Sequence, residues 1–282
     1  KIEHVFNTFN IDTVYHAAAY KHVPLVEENI CESVKNNVFG TFILAEAALK
    51  NNISNFVLIS SDKAVRPTNI MGATKRLAEI CVQSLYDNQN QQSKFAIVRF
   101  GNVLQSSGSV IPKFKQQIKE GGPLTLTHPD VTRYFMTITE ASQLVIQAGA
   151  MAEKCEVYVL DMGESVKIKD LIEKMIKLSG LSIKNDKNLD GDIEIKITGL
   201  RPGEKLYEEL LLGDNPQKTF HEKIQKAQDP FISFSKLKID LDHLLNLIEE
   251  NKVEDVKNVL SKLVTSYQSN SEIVDHFYEQ QS

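Results

Sequence analysis

Ser60-Ser61-Asp62-Lys63-Ala64-Val65-Arg66-Pro67-Thr68-Asn69-Ile70-Met71-Gly72-Ala73-Thr74-Lys75-Arg76 is the stretch whose reading decides the fold. It leaves Phe56-Val57-Leu58-Ile59, an unbroken apolar run of the kind that forms a parallel strand buried on both faces. Pro67, Thr68 and Asn69 close a polar turn, and a helix is predicted from about Ile70. Asn69 is a good N-cap, and Pro67 lies upstream of the helix, where it breaks nothing. In an open α/β sheet, ligands bind in the crevice beyond the carboxyl ends of the strands. Ser60, Ser61, Asp62 and Lys63 fall at that edge. Met71 and Lys75 lie one helical turn apart and share a face. Gly72 and Ala73 leave room for a ligand or a second backbone. A hydroxyl, a carboxylate and two amines at a strand end point to a reaction centre. The plainer reading of the same residues is a solvated loop with a helix cap.

The stretch resembles the catalytic segment of the extended short-chain dehydrogenases. Within them it is similar to the UDP-N-acetylglucosamine 4,6-dehydratases of the large, configuration-retaining branch of polysaccharide biosynthesis. Most of that superfamily carries Tyr-x-x-x-Lys, where the tyrosinate accepts a hydroxyl proton and the lysine lowers its pKa. Here Met71 stands in the tyrosine place and Lys75 in the lysine place. Met71 moves no proton. The large 4,6-dehydratases pair this change with a Ser/Thr-Asp-Lys triplet, matched by Ser61, Asp62 and Lys63.

The resemblance covers about residues 14–214 and implies an α/β fold. Its parts would be a Rossmann-type doubly wound parallel sheet and a smaller C-terminal α/β substrate lobe. It also implies NAD as cofactor and UDP-N-acetylglucosamine as substrate. The implied chemistry is oxidation at sugar C4, loss of water across C5 and C6, and hydride return to C6. Asp62 is then the candidate acid and Lys63 the candidate C5 base, a role that needs its pKa lowered by burial and by Lys75. Ser61 would bond the C4 oxygen, and Lys75 and Ser60 would border the nicotinamide end of the cofactor. Exchanging the jobs of Asp62 and Lys63 is a rival assignment, and the C4 proton has no tyrosine to receive it. Two other functions stay open. A UDP-sugar 4-epimerase shares the first hydride step but normally needs the tyrosine and has no use for an elimination acid. A non-catalytic UDP-sugar-binding module would need neither.

At 282 residues the chain can bury a sizeable core in one large or two small domains. Its net charge of −5 argues against a nucleic-acid binder held by phosphate contacts. Cys31, Cys81 and Cys155 lie far apart without metal-ligand spacing, so reduced thiols and no metal site are expected. No apolar run reaches the length of a membrane span and no signal-peptide pattern is present, so a cytoplasmic setting is expected.

The sequence opens in what reads as the end of a helix, 2–9, followed by a strand at 13–16. No glycine-rich strand-to-helix turn precedes that strand. By resemblance that turn lies upstream, so the sequence is expected to begin partway through its Rossmann domain. The larger family members also carry membrane-spanning helices before it, so a membrane-anchoring N-terminal part is expected outside this sequence. In His16-Ala17-Ala18-Ala19-Tyr20-Lys21-His22, three alanines let the backbone run close beneath a flat ligand. The resemblance places Ala17, Ala18, Ala19 and Tyr20 along the cofactor and aims Lys21 and His22 at the sugar nucleotide. Taken alone, the histidines read as structural and the alanines as core.

Residues 27–50 read as one long helix with Val34, Val38, Phe39, Ile43, Leu44 and Ala47 on its apolar side. Asn37 heads an Asn-x-x-Gly-Thr pattern, which in the family steadies the active-site strand ends. The helices at 27–50 and 71–86 are expected to meet a second subunit, giving at least a dimer. After a strand at 95–100, Asn102 is placed by resemblance on the diphosphate or sugar. Ser109 and Val110 open a helix at 113–120, whose hydroxyls and amides suit a phosphate or an ordinary capped turn. Arg133, between short strands at 125–127 and 134–136, falls near the substrate by resemblance. Helices are expected at 140–152 and 168–179, and a strand at 156–160. Gly199-Leu200-Arg201-Pro202-Gly203-Glu204-Lys205 joins a strand at 193–197 to a helix at 206–212. By resemblance Arg201 clamps the diphosphate and Glu204 takes the ribose hydroxyls, which suits a guanidinium fork and a carboxylate. Alone it is a Pro-Gly turn with an ion pair. The expected division is 1–105 for a partial NAD-binding domain, 106–214 for the substrate lobe and 215–282 for a helical tail. That tail is expected to pack on the substrate lobe or on an oligomer partner.

Overall fold

The computed structural model describes residues 1–88, 92–210, 216–269, 272–275 and 278. The chain runs through α1 (Ile2–Thr8), β1 (Thr13–His16), α2 (Val23–Glu27), α3 (Ile30–Val34), a π turn (Lys35–Phe39) and α4 (Gly40–Lys50). Next come β2 (Asn55–Ile59), a 3-10 turn (Asp62–Ala64), α5 (Ile70–Asp87), β3 (Lys94–Arg99), β4 (Asn102–Val103), α6 (Val110–Lys119) and β5 (Leu124–Leu126). Then come β6 (Thr132–Arg133), β7 (Phe135–Met136), α7 (Ile138–Met151), β8 (Cys155–Leu160), β9 (Val166–Lys167) and α8 (Ile168–Leu178). The last elements are β10 (Ile183–Lys184), β11 (Ile193–Ile197), β12 (Gln217–Lys218), β13 (Ile224–Ala227), α9 (Phe234–Glu249) and α10 (Val253–Leu263).

The main sheet has the order β1-β2-β3-β8-β13-β12. Its first four strands are parallel and β13 and β12 continue it antiparallel. Strand pleat decides which core each residue enters. Phe56, Leu58, Phe95, Ile97 and Val157 point into a core shared with α3, α4, α5, α9 and α10. Val57, Ala96, Val98, Tyr158 and Leu160 point the other way, against α7. Helices therefore cover both faces, the doubly wound Rossmann-type arrangement. A third core, with Phe114, Leu124, Ile172 and Ile193, joins α6 and α8 to the small parallel sheet β10-β11-β5. This second α/β lobe stands beyond the carboxyl ends of β2 and β3.

Four expectations are corrected. The helix expected at 27–50 starts at Ile30 and carries the π turn, whose extra residue rotates α4 about its axis and leaves Ile43 51% exposed. No helix forms at 206–210, because Glu208 is drawn to Lys63 beyond the end of β2 and the segment runs through bends; 211 and 212 lie outside the described residues. The segment after 215 is not all helical, since β12 and β13 extend the main sheet. Nor do its helices pack on the substrate lobe. Leu237, Leu241, Leu244, Val256 and Leu260 bury themselves against α5 and its neighbours, leaving 15 of the 18 residues of α5 buried. The face of α5 expected to meet a second subunit is thus covered by α9 and α10 of the same chain. Among the described residues no helix is long and apolar enough to cross a membrane.

Candidate active site

Backbone pairing carries the edge of β2 past its last residue. Ser60 N–H donates to Val98 O (2.8 Å) and Asp62 N–H to Phe100 O (3.1 Å). Ser61 then caps the 3-10 turn, its Oγ accepting from Lys63 N–H at 3.2 Å. The turn lies directly on α5 because residue 72 is glycine. A Cβ there would stand 2.2 Å from the Lys63 carbonyl oxygen. Asn69 caps α5 by accepting from Gly72 N–H (2.8 Å), and buried Glu27 accepts from Ile70 N–H (2.6 Å). A carboxylate at a helix N-terminus is favourable in the field of the helix dipole.

At this edge Lys63 Nζ lies 3.0 Å from Asp62 Oδ1 and 3.4 Å from Glu208 Oε1. Arg133 Nε reaches Glu208 Oε1 at 3.7 Å, and Arg133 Nη2 reaches Glu204 Oε1 at 3.2 Å. Ser61 Oγ donates to Asp62 Oδ1 at 2.9 Å. Asp62 is 0% exposed, and neither its Oδ2 nor Oε2 of buried Glu208 has a hydrogen-bond partner among the described residues. Burial opposes the charge of Lys63, but the carboxylates of Asp62 and Glu208 outweigh it and push its pKa above the ordinary lysine value. The expected lowering is therefore corrected: Lys63 rests as an ammonium, because a second carboxylate flanks it.

Lys75 differs. Its Nζ donates to Ile59 O (2.7 Å), and burial, only partly offset by Glu79, lowers its pKa to about 8. Met71, one turn earlier, is buried. Asn37 ties the segment after β1 to α5: its side chain accepts from Tyr20 N–H (2.7 Å) and donates to Tyr20 O and Thr74 Oγ1 (3.0 Å each). The Thr41 hydroxyl donates to Asn37 O, so Thr41 Oγ1 is left to accept from His16 Nε2 at 2.8 Å. Burial and then the charge of Lys75 lower the His16 pKa to about 4, so its ring is neutral near pH 7. Ala17 and Ala18 are exposed, as is Tyr20, and Ala19 is half-buried. This small-residue shelf fits a flat ring and ribose lying along it, with Lys75 as the nearby cation. Ser60 faces away into the protein, donating to Glu79 Oε1 at 2.5 Å.

A cavity of about 330 Å³ opens between the two lobes at Lys63. Lys21, His22, Asn102, Ser109, Val110, Arg133, Arg201 and Glu204 all line it. Ser61, Asp62, Met71, Lys75, Asn37 and the 17–20 shelf do not; Ser61 and Asp62 adjoin it through their bonds to Lys63. Lys113 also lines it, its pKa lowered by burial and then by Arg201, a crowding of cations that an anion would relieve. At the start of α6, buried Ser109 Oγ has no partner among the described residues. Glu204 accepts from Thr127 Oγ1 (3.0 Å) and Arg201 N–H (3.1 Å). The 199–205 segment is latched to the start of α5 by Thr68 Oγ1 and Asn69 Nδ2, which donate to Gly203 O at 3.0 and 2.9 Å. Gly203, at φ +70°, packs where a Cβ would sit 2.5 Å from Asn69 Cβ.

Sequence reasoning missed Glu208, Glu79 and Lys113. Glu208 follows the Arg201–Lys205 motif closely enough to have been drawn in with it. Glu79, one turn beyond Lys75 and Arg76, carried the signal of a carboxylate at ion-pair spacing from two cations of the same helix. Among the described residues no group of three or more His, Cys, Asp or Glu side chains could hold a metal ion.

The family model described as polysaccharide biosynthesis protein matches residues 1–229. A capsular polysaccharide biosynthesis protein of Staphylococcus aureus is 50% identical over 92% of this chain, which spans 42% of that relative's length. A UDP-N-acetylglucosamine 4,6-dehydratase (inverting) of Campylobacter jejuni is 32% identical over 87% of this chain and 70% of its own. A UDP-glucose 4-epimerase of Rickettsia canadensis is 35% identical over 74% of this chain and 58% of its own. With the family model matching more than half of the sequence, and the site built from the segments it spans, the chain belongs to the polysaccharide biosynthesis protein family.

Proposed function

We propose that this chain is the sugar-nucleotide-binding and catalytic part of an NAD-dependent UDP-N-acetylglucosamine 4,6-dehydratase. The observation that carries the reading is the Asp62–Lys63 ion pair, whose Lys63 lines the cavity, together with a Met71 that moves no proton. Elimination needs an acid and a base held together at one sugar edge. Epimerisation has no use for the pair, although a 4-epimerase is among the relatives.

NAD, when bound, supplies reversible hydride exchange with the sugar. The chain supplies the rest. The 17–20 shelf, Asn37 and Lys75 hold the nicotinamide end. Lys21, His22, Asn102, Ser109, Lys113 and Arg201 receive the diphosphate and sugar, and Glu204 the uridine ribose. Ser61 orients the C4 oxygen, Lys63 removes the C5 proton once its own is gone, and Asp62 protonates the departing C6 hydroxyl. The product is the 4-keto-6-deoxy sugar nucleotide, a precursor for capsule, O-antigen or protein-linked glycan. Free Cys31, Cys81 and Cys155 suit a reduced, cytoplasmic setting. The assembly is a homo-oligomer whose contacts avoid the covered face of α5.

The test is incubation of the full-length polypeptide carrying this chain with UDP-N-acetylglucosamine in deuterated water, followed by mass spectrometry and proton NMR. Loss of one water with a new C6 methyl signal is expected, and the C5 configuration assigns the branch. An unchanged mass with inverted C4 would establish epimerisation instead. No turnover with UDP still bound would leave a binding module.

A further inference from the structure

We propose that Glu208 is a third catalytic side chain, which takes the ammonium proton of Lys63 and so frees its amine to act at C5. The inference rests on the dehydratase reading and deepens it.

The geometry poses the problem and supplies the answer. Lys63 lies between two carboxylates, Asp62 at 3.0 Å and Glu208 at 3.4 Å, and a base must first be rid of a proton. One carboxylate suffices for an ion pair with Lys63, and Glu208, shared with Arg133, stands beside it as a second acceptor. Each carboxylate keeps one buried oxygen without a hydrogen-bond partner among the described residues, Asp62 Oδ2 and Glu208 Oε2. Asp62 also accepts from Ser61 and is taken up with the C4 and C6 protons, which leaves Glu208 for the proton of Lys63. Lys63 Nζ faces Glu208 Oε1 at 3.4 Å, and the proton crosses that contact. Arg133, 3.7 Å from Oε1, balances the resting carboxylate. Glu208 also lines the cavity beside Lys63 and Arg133, so it belongs to the reaction chamber.

The protons then balance without a tyrosine. The site starts with Lys63 charged and both carboxylates ionised. Lys63 passes a proton to Glu208. As C4 is oxidised, its hydroxyl proton moves to Ser61 while Ser61 hands its own to Asp62, along the 2.9 Å bond already present. The Lys63 amine takes the C5 proton, and the C–H electrons form the C5–C6 double bond. The C6–O bond breaks with its electron pair, and Asp62 protonates the leaving oxygen to give water. After hydride returns to C6, Lys63 protonates C5 and recovers its own proton from Glu208. One proton from the C4 hydroxyl has left in water, and the site is as it began.

The experiment compares the full-length wild type with Glu208→Gln and Glu208→Asp, using UDP-N-acetylglucosamine in deuterated water. UDP binding is read by calorimetry, C4 oxidation by cofactor absorbance, and C5 deuterium uptake by NMR. For Glu208→Gln, UDP binding and C4 oxidation are expected to persist while C5 uptake and water loss fall roughly a hundredfold or more. Glu208→Asp, which keeps the charge, is expected to recover part of the loss. A group that only held Lys63 charged would act in the opposite sense, because its removal would free more amine and quicken exchange. C5 uptake in Glu208→Gln near the wild-type rate, or C4 oxidation lost in step with it in both variants, overturns the role of Glu208. A wild type that leaves the UDP-sugar unchanged overturns the dehydratase reading itself, and this inference with it.

Discussion

Glu79→Ala is expected to be among the most destabilising single substitutions in this chain, and the reason can be counted. Beneath the catalytic edge lie two buried arginines and two buried carboxylates, Arg76, Arg99, Glu79 and Asp229. Glu79 takes a two-pronged contact from Arg99, Nε to Oε1 at 2.8 Å and Nη2 to Oε2 at 2.5 Å, and a third from Arg76 Nη1 at 2.9 Å. Asp229 pairs with Arg99, and Arg76 also donates to Pro230 O at 2.6 Å. The cluster clasps β2 through Ser60, β3, α5 and the segment after β13. Removing Glu79 leaves two positive charges against one negative in a site without water access. Breaking a buried pair from one side costs about 3–5 kcal/mol. Urea unfolding monitored by circular dichroism should show that loss. The double variant Glu79→Leu/Arg99→Met leaves one charge of each sign and should recover most of it, since the penalty is the orphaned charge rather than the lost attraction. An Ala variant within about 1 kcal/mol of wild type, or a double variant no better than the single, would refute this account. Acid gives an independent check. Burial alone would raise the Glu79 pKa, but Arg99, Arg76 and Ser60 pull it down to about 2. A carboxylate lowered on folding contributes stability that is present above its unfolded pKa and lost as pH falls through the folded one. Between the ordinary glutamate value of 4.5 and about 2, wild type should lose about 3 kcal/mol through this group. Glu79→Gln should lack that part of the acid limb.

Three further outcomes are expected at the site. Gly72→Ala places a methyl 2.2 Å from the Lys63 carbonyl oxygen, so the turn must move; a stability loss of about 1–3 kcal/mol is expected, with turnover falling more than UDP affinity, and unchanged turnover would contradict the packing argument. Arg201→Ala removes a charged donor from the cavity wall, and calorimetry should show UDP binding weaker by about 1.5–3 kcal/mol, roughly ten- to a hundredfold in Kd. An unaltered Kd would place the diphosphate elsewhere. Burial lowers Lys75 to about 8, so its charge, and with it affinity for an anionic dinucleotide, should fade as pH rises through that value; Lys75→Arg should remove the dependence in a cofactor titration across that range, and an identical slope in both proteins would deny Lys75 the role.

What could be read from the sequence was whatever local periodicity encodes. The apolar runs at 56–59 and 95–100 and the cap at Asn69 depend on neighbours in the chain, and the strands and helix formed where those neighbours put them. The long helix at 27–50 failed at its start because Glu27 is drawn away to the N-terminus of α5, a partner 43 residues on. The π turn then shifted the apolar face, turning Ile43 outward. The segment at 206–210 carries helix formers, yet contacts on either side of it override propensity. Gly203 is latched to Thr68 and Asn69, and Glu208 is drawn to Lys63 and Arg133. For 234–263 the helices were legible but their destination was not, since an amphipathic face shows that something covers it and not what.

The same distinction explains the site. Residues joined by spacing, such as Asp62 with Lys63 or Met71 with Lys75, could be paired from their numbers alone. Glu208 and Glu79 could not, because each gains its meaning from a partner across the fold. The two lie on opposite sides of one edge, and the contrast between them is physical. Around Glu79 the charges are matched two against two, both of its oxygens are bonded, and the cluster holds Ser60 away from the cavity lining. Lys63 and Glu208 instead line the cavity, and among the described residues each carboxylate flanking Lys63 keeps an oxygen without a hydrogen-bond partner, as Asp229 Oδ2 does in the Glu79 cluster. What separates the two groups is access to the cavity, since a proton reaches a bound ligand only from a group that borders it. On the proposed reading the proton traffic belongs to Lys63 and its two carboxylates, and the Glu79 cluster is the frame that holds the strand end beside them.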